Sequence, residues 1–278
     1  ATYCATVSPM SSQIHSGEPY DETRTKHIVE QLYTDGYVHL GPVLEADEVA
    51  ALRAALERKA ADPRILADTE GDHVRGISYM RMFEYDNAFR DLIVREPFAS
   101  LAEAVLGADC HVMSQNALIY EPGMGGGWHV DDLLHFPLPE GVERHDPRIR
   151  VPCMVLQIFT PLSDVDSVEY GCTEVVPGSH NAGRMPNDQQ HPSFAGRGPE
   201  PILARAGDAY VFHNQIWHQG AKNQSDRQRL LGGVTYSRRF VAQKFYPFID
   251  YQMPEHVWEG ASDRLQRLLG RHTKGAYG

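Results

Sequence analysis

The order of elements along the chain predicts an α+β fold, with a helical layer packed on one β-sandwich or barrel. Three observations carry it. Helix-period apolar positions dominate the first part of the 278-residue chain. From about residue 111 onward they give way to short runs rich in β-branched and aromatic residues, separated by Gly, Pro and Asp turns. No shift of composition separates the two parts, so residues 21–278 read as a single domain behind a loose N-terminal arm over residues 1–20.

Each element follows from its residues. Over residues 21–35, Ile28, Leu32 and Tyr33 share one side of a helix that Gly36 stops. Tyr37-Val38-His39-Leu40 is a short strand. Residues 45–60 form the clearest helix, with Val49, Leu52, Leu56 and the alanines as its apolar face. A third helical stretch covers residues 87–106 and ends at Gly107. Strands are predicted over residues 111–120, 150–160, 173–176, 209–213 and 229–240, with a closing helix over 263–271. Residues 62–85 and 181–200, rich in Gly, Pro, Asp and Arg, read as lid loops that set specificity.

Composition narrows the function. No apolar run reaches the roughly 18 residues of a membrane span, and the opening residues lack the basic flank and apolar core of a secretory signal. The four cysteines form no C-x-x-C pair, so neither a zinc knuckle nor a disulfide framework is indicated, and a reducing cytoplasm is the simpler setting. A net charge of -11 without a basic cluster argues against nucleic acid or an anionic membrane as partner. A small molecule is the expected partner; oligomeric state is not legible.

The chemistry concentrates in two segments. In Gly125-Gly126-Gly127-Trp128-His129-Val130-Asp131, residues two apart on a strand face the same way, so His129 and Asp131 present an imidazole and a carboxylate side by side. These are two members of a 2-His-1-carboxylate facial triad, which leaves open positions on non-haem iron(II). The preceding glycines suit a mobile turn at a site mouth. A His-x-Asp alone is weak evidence in a chain with 14 histidines, and by itself a surface turn with a solvated Asp and a packed His accounts for it more readily. The third ligand is sought in the segment from Gly207-Asp208 to Trp217-His218. Here His218 follows Ile216-Trp217 into a polar loop, and His213, at a strand end, is its rival. Eleven residues beyond His218 stands Arg229, whose guanidinium fork suits a dicarboxylate co-substrate; Arg227, Arg238 and Arg239 are its competitors. Trp128 and Trp217 flank the ligands and serve either as pocket walls or as core packing, and His135 is a further pocket candidate.

Taken together these segments resemble the phytanoyl-CoA dioxygenase family. The carrying residues are His129-Val130-Asp131 with Leu134-His135-Phe136-Pro137 behind it, Gly171 through Pro177-Gly178-Ser179-His180, Gly207-Asp208 through Trp217-His218 and Asn223, and Arg229 at its spacing. They occur in the family order across residues 111–240. The resemblance implies a double-stranded β-helix, the cupin-like jelly roll, and a requirement for iron(II), 2-oxoglutarate and dioxygen. It implies that His129, Asp131 and His218 hold iron and that Arg229 grips the far carboxylate of 2-oxoglutarate. It further implies co-substrate roles for Asn116 and Thr173, and for Arg81 as a basic residue reaching in from the helical region. His180 has a structural part, bracing the Pro177-Gly178 turn. One departure stands out: many relatives carry Ser or Thr two residues after the distal histidine, where this chain has Gly220.

The function implied is that of a dioxygenase hydroxylating an unactivated C–H bond of a small organic molecule, in natural-product or secondary metabolism. The alternatives are desaturation, epoxidation or rearrangement at the same centre, and, from other classes, a non-catalytic cupin-like metal binder or a zinc hydrolase. Because Asp131 fills the carboxylate position, which halogenating relatives leave free for halide, hydroxylation or a related oxidation is expected rather than halogenation. An acyl-CoA substrate is disfavoured by the acidity and by the lack of a phosphate-binding cluster.

Overall fold

Asp21 opens the first helix, α1 (Glu22–Asp35), by accepting the Arg24 N–H at 2.8 Å. Gly36 closes it in the left-handed conformation at φ 85°. The computed structural model describes residues 14–63, 76–245 and 251–273. The chain passes directly into β1 (Tyr37–Pro42) and then α2 (Ala46–Ala61), which starts with a Glu45/Glu48 capping box. Leu52 and Leu56 of α2 are fully buried, each stabilising by about 2 kcal/mol. Glu48 is buried as well and pairs with both nitrogens of the Arg95 fork, at 2.8 and 3.0 Å. Of the expected N-terminal arm, residues 1–13 lie outside the described residues. Residues 14–20 run without regular structure, with the His15 N–H donating to Glu48 and the Ser16 carbonyl accepting from Glu96.

The helical stretch expected over residues 87–106 is divided. α4 (Asn87–Leu92) ends before Pro97, and α5 (Phe98–Leu106) begins after it. Proline lacks the N–H that a continuous helix needs. Two elements fall inside the segment read as a lid over residues 62–85: β2 (Ile77–Met80) and the single turn α3 (Met82–Tyr85). β2 pairs with β3 (His111–Tyr120) and is thus a strand of the larger sheet; residues 64–75 of that segment lie outside the described residues. The loop at 181–200 is anchored by Arg184, Asn187, Asp188 and Gln189.

The strands build two sheets. A six-stranded sheet runs in the order β1-β7-β4-β9-β3-β2, with β3 at His111–Tyr120, β4 at Val155–Pro161, β7 at Asp208–His213 and β9 at Arg229–Ser237. A three-stranded sheet runs β6-β5-β8, with β5 at Thr173–Val175, β6 at Glu200–Ile202 and β8 at His218–Gly220. All pairings are antiparallel, and from β6 to β9 the chain alternates between the sheets. This is the α+β jelly roll with a flanking helical layer.

Alternation along each strand divides the core. Val112, Leu156, Ile158, Val211, Val234 and Tyr236 face outward into one cluster with Leu32, Leu52, Phe83, Phe89 and Leu101 of the helices. The opposite face carries Tyr210, Phe212 and Leu231, which meet Val175 and Ile202 of the small sheet. The second cluster is the inside of the roll. In the register, Tyr210, Phe159, Gly233 and Asn116 form one inner row. Phe212, Gln157, Thr235 and Ser114 form the next.

Candidate metal centre

His129 lies on an isolated bridge rather than on the strand its spacing predicts. Its N–H donates to the His218 carbonyl at 3.0 Å, and the His218 N–H returns the bond at 3.0 Å. The reciprocal pair draws two residues far apart in sequence onto one side, with imidazole centroids 4.3 Å apart. Asp131 is set by its own N–H, which donates to the Asn214 carbonyl at 3.1 Å. One ligand atom from each of His129, Asp131 and His218 lies within 4.8 Å of the other two. His129 Nε2 is 3.7 Å from Asp131 Oδ1, and His218 Nε2 is 3.5 Å from Asp131 Oδ2.

The hydrogen bonds behind these side chains determine what they offer. His129 Nδ1 lies 2.7 Å from the Gly127 carbonyl and His218 Nδ1 2.9 Å from the Ile216 carbonyl. A carbonyl only accepts, so each Nδ1 carries the proton and each Nε2 turns a lone pair toward Asp131. The Gln157 side-chain amide donates to Asp131 Oδ2. Two imidazole lone pairs and a carboxylate oriented in this way suit a divalent transition metal. Directly after the ligand, Asp132 takes a left-handed conformation at φ 57° and pairs with Lys244 at 2.7 Å, a turn that costs backbone energy.

The glycines before His129 do not read as a mobile mouth. A Cβ on Gly125 would stand 2.3 Å from the Ala221 carbonyl oxygen, and the Gly126 N–H donates to the Gly220 carbonyl at 2.6 Å. Gly125 is needed because two backbones lie against each other there.

Arg229, at the start of β9, is 3% exposed. Its Nη1 donates to the Gly171 carbonyl at 2.6 Å and its Nη2 to Thr173 Oγ1 at 2.9 Å, while its Nε is buried without a partner. Thr173 Oγ1 also bonds the Tyr210 hydroxyl at 2.8 Å. The guanidinium lies 4.5 Å from the centroid of the Tyr120 ring. Among the described residues no carboxylate pairs with it, an uncompensated buried charge that calls for an anion. Thr173 and Gly220 are register partners, as are Val175 and His218. Two residues of strand, roughly 7 Å, therefore separate the level of Thr173, which Arg229 grips, from that of the triad.

The remaining candidates are distributed unevenly. Asn116 sits on the inner row with its Oδ1 buried and unpartnered. His135 is half-buried, and burial pushes its imidazole down from its ordinary range; its N–H donates to Gln215 at 2.8 Å, and its Nδ1 has no partner. Arg81 takes a left-handed conformation at φ 53°, and its guanidinium meets Glu84 at 3.4 Å and the Tyr251 ring at 5.5 Å, not the triad.

Trp128 and Trp217 do not wall the pocket. They pack with Val130, Val176, Ala182 and Phe194 in a third cluster, because each precedes an inward-facing histidine by one residue and so points the other way. His213, the rival third ligand, lies against His180 with ring centroids 5.1 Å apart and does not join the grouped ligand atoms. Gln157, Tyr120 and Tyr210 were missed, since their part depends on strand register that no local motif carries.

A sequence profile described as phytanoyl-CoA dioxygenase matches residues 32–231. An uncharacterised protein of Mycobacterium tuberculosis is 24% identical over 262 residues, covering 91% of this chain and 89% of its own. Ectoine dioxygenase of Nocardia farcinica is 26% identical over 234 residues, covering 70% of this chain and 72% of its own. Among solved structures, the non-haem α-ketoglutarate-dependent carbocyclase SnoK from nogalamycin biosynthesis superposes with a TM-score of 0.60 at 26% identity, over 80% of this chain and 88% of the other.

Proposed function

Because the chain belongs to the phytanoyl-CoA dioxygenase family, a family of iron(II)- and 2-oxoglutarate-dependent oxygenases, we propose that it hydroxylates an unactivated C–H bond of a small organic molecule. Iron is assigned to His129, Asp131 and His218, and 2-oxoglutarate to Arg229. One juxtaposition carries this reading: a two-histidine, one-carboxylate set beside a buried guanidinium that lacks a carboxylate partner among the described residues. A zinc hydrolase or an inert metal binder accounts for the first part and leaves the second without purpose.

Bound iron(II), 2-oxoglutarate and dioxygen supply a two-electron oxidation coupled to decarboxylation of the keto acid to succinate. The chain's own residues do the rest. The Nε2 lone pairs of His129 and His218 and the carboxylate of Asp131 take three positions of the ion and leave the others to the co-substrate. Arg229, held by Gly171 and Thr173, offers its charge to the far carboxylate. Phe159, Tyr210, Phe212 and Leu231 keep the interior apolar and exclude water. Asn116 and His135, each with a buried unpartnered atom, are polar groups left to receive substrate or co-substrate.

In hydroxylation, substrate, 2-oxoglutarate and dioxygen yield the alcohol, succinate and carbon dioxide. A second reading is oxidative ring closure, favoured by the carbocyclase relative; there the substrate loses two hydrogens and water takes the second oxygen. Product mass separates the two, since one adds an oxygen atom and the other removes hydrogen. That relative's pathway also supports a place in secondary metabolism. Cys110, Cys153 and Cys172, buried as free thiols, suit a reducing compartment. No helix among the described residues is long and apolar enough to cross a membrane.

The test is succinate formation from 2-oxoglutarate with iron and ascorbate, alongside Arg229→Ala. The variant is expected to bind nickel(II) as the wild type does while its affinity for 2-oxoglutarate falls on the order of 100-fold. Unchanged co-substrate affinity in calorimetric titration would remove the assignment.

A further inference from the structure

Residue 220, two positions after His218, is glycine, and the structure shows what stands against it. A Cβ on Gly220 would stand 3.0 Å from the Tyr120 hydroxyl oxygen, 3.1 Å from its Cε1 and 3.2 Å from its Cζ. The phenol occupies the room a serine or threonine side chain needs. Gly76 adjoins the same edge of the ring, where a Cβ would stand 2.9 Å from Tyr120 Cε1.

Three further observations point the same way. Tyr120 is the register partner of Arg229 across β3 and β9, and its ring lies against the guanidinium. Gly220 is the register partner of Thr173, which accepts from Arg229. The Tyr120 carbonyl accepts from Asn223 at 3.2 Å, which fixes the backbone at the strand end, while the Tyr120 hydroxyl makes no hydrogen bond among the described residues. The hydroxyl of a buried tyrosine, unbonded among the described residues, therefore stands beside a buried cation that has no carboxylate partner among them.

We infer that the Tyr120 hydroxyl donates to the same far carboxylate of 2-oxoglutarate that Arg229 receives. The inference rests on the reading of Arg229 given above. Tyr120 is then a co-substrate-binding residue, and Gly220 is the space that admits it.

The test uses the full chain loaded with nickel(II), titrated without oxygen. Tyr120→Phe keeps the ring and removes the hydroxyl. Its affinity for 2-oxoglutarate is expected to fall about tenfold, while its affinity for nickel and for 2-oxobutyrate, which has no far carboxylate, stays that of the wild type. Gly220→Ser alone is expected to weaken 2-oxoglutarate binding, because its Cβ displaces the phenol. Tyr120→Leu with Gly220→Ser is expected to bind more tightly than Tyr120→Leu alone, since the hydroxyl returns from the other sheet. Equal losses for 2-oxoglutarate and 2-oxobutyrate in Tyr120→Phe would reveal a merely structural role and overturn the inference. Wild-type binding in Tyr120→Phe with loss in Arg229→Ala would overturn it and leave the family reading standing. Wild-type binding in both would remove the reading as well.

Discussion

The Asp131 side chain has an orienting partner on a distant strand. His129 and His218 each lean on a carbonyl two residues back, so their ring orientation is a local property of the bridge that joins them. The Asp131 carboxylate is turned by Gln157, which sits on β4, buried, in the inner row between Phe212 and Thr235. An outer partner that fixes a ligating carboxylate typically carries tenfold or more in metal affinity. Gln157→Leu, which keeps the bulk and the fold, is therefore expected to bind iron(II) or nickel(II) roughly tenfold more weakly in competition with a chelator. Arg229 in that variant should be undisturbed. Wild-type metal affinity in Gln157→Leu would mean that Asp131 is oriented by its backbone alone. The same contrast explains what was legible at this scale. His129, Asp131, His218 and Arg229 stand out once the four family-like segments are matched in order along the chain. Gln157 and Tyr120 carry no such mark, because a glutamine or tyrosine on a strand is ordinary until the register shows what stands opposite.

Between elements, the sequence was most informative where periodicity and punctuation agree. β3 spans the predicted residues, and α1 stops at Gly36 because only a residue tolerant of φ 85° can turn the chain there. It was least informative for β2, β6 and β8, which have three or four residues each and owe their pairing to neighbours rather than to a pattern of their own. Pro97 should have divided the long helical stretch, since its missing N–H was visible in the chain. The junction of α1, β7 and the turn after β5 holds a further consequence. His180 donates through Nε2 to the Tyr33 carbonyl at 3.1 Å and stacks on His213, and a Cβ on Gly36 would meet its Nδ1 at 2.5 Å. Burial pushes the His180 imidazole down to about 4 from 6.5, and burial holds His213 well below its ordinary range too. A histidine whose value is depressed by folding stays neutral in the native state while the unfolded chain protonates. Its contribution is thus present above about pH 6.5 and is lost as pH falls toward about 4. For His180 this is on the order of 3 kcal/mol. Urea unfolding between these limits should show a steep loss of stability that is shallower in His180→Gln. Equal slopes in the two proteins would count against it.

The whole molecule is two sheets that face each other, with the helices stabilising only the outer side of the larger one. The site draws on both. Arg229, Tyr120 and Gln157 stand on the six-stranded sheet, Thr173 and His218 on the three-stranded sheet, and His129 and Asp131 on the segment bridged to it. A metal ion held at the triad and a dicarboxylate reaching Arg229 would link the sheets across the interior of the roll, where among aliphatic and aromatic side chains the joining contacts are those around Val175, Ile202, Tyr210, Phe212 and Leu231. Neither ligand finds these groups assembled in the unfolded chain, so binding adds directly to stability. At a concentration about 100 times its dissociation constant a ligand adds about 2.7 kcal/mol, which for a chain of this size raises the melting temperature by roughly 5 to 10 °C. Nickel(II), which carries out no turnover, is expected to raise it alone, and nickel with 2-oxoglutarate to raise it further. 2-Oxoglutarate without metal should have the smallest effect, because Arg229 then holds only one end of it. In Asp131→Ala the combined shift should collapse, and in Arg229→Ala only the increment from 2-oxoglutarate should vanish. A wild-type melting temperature that stays flat with both ligands present would mean that the two sheets do not meet at a shared site.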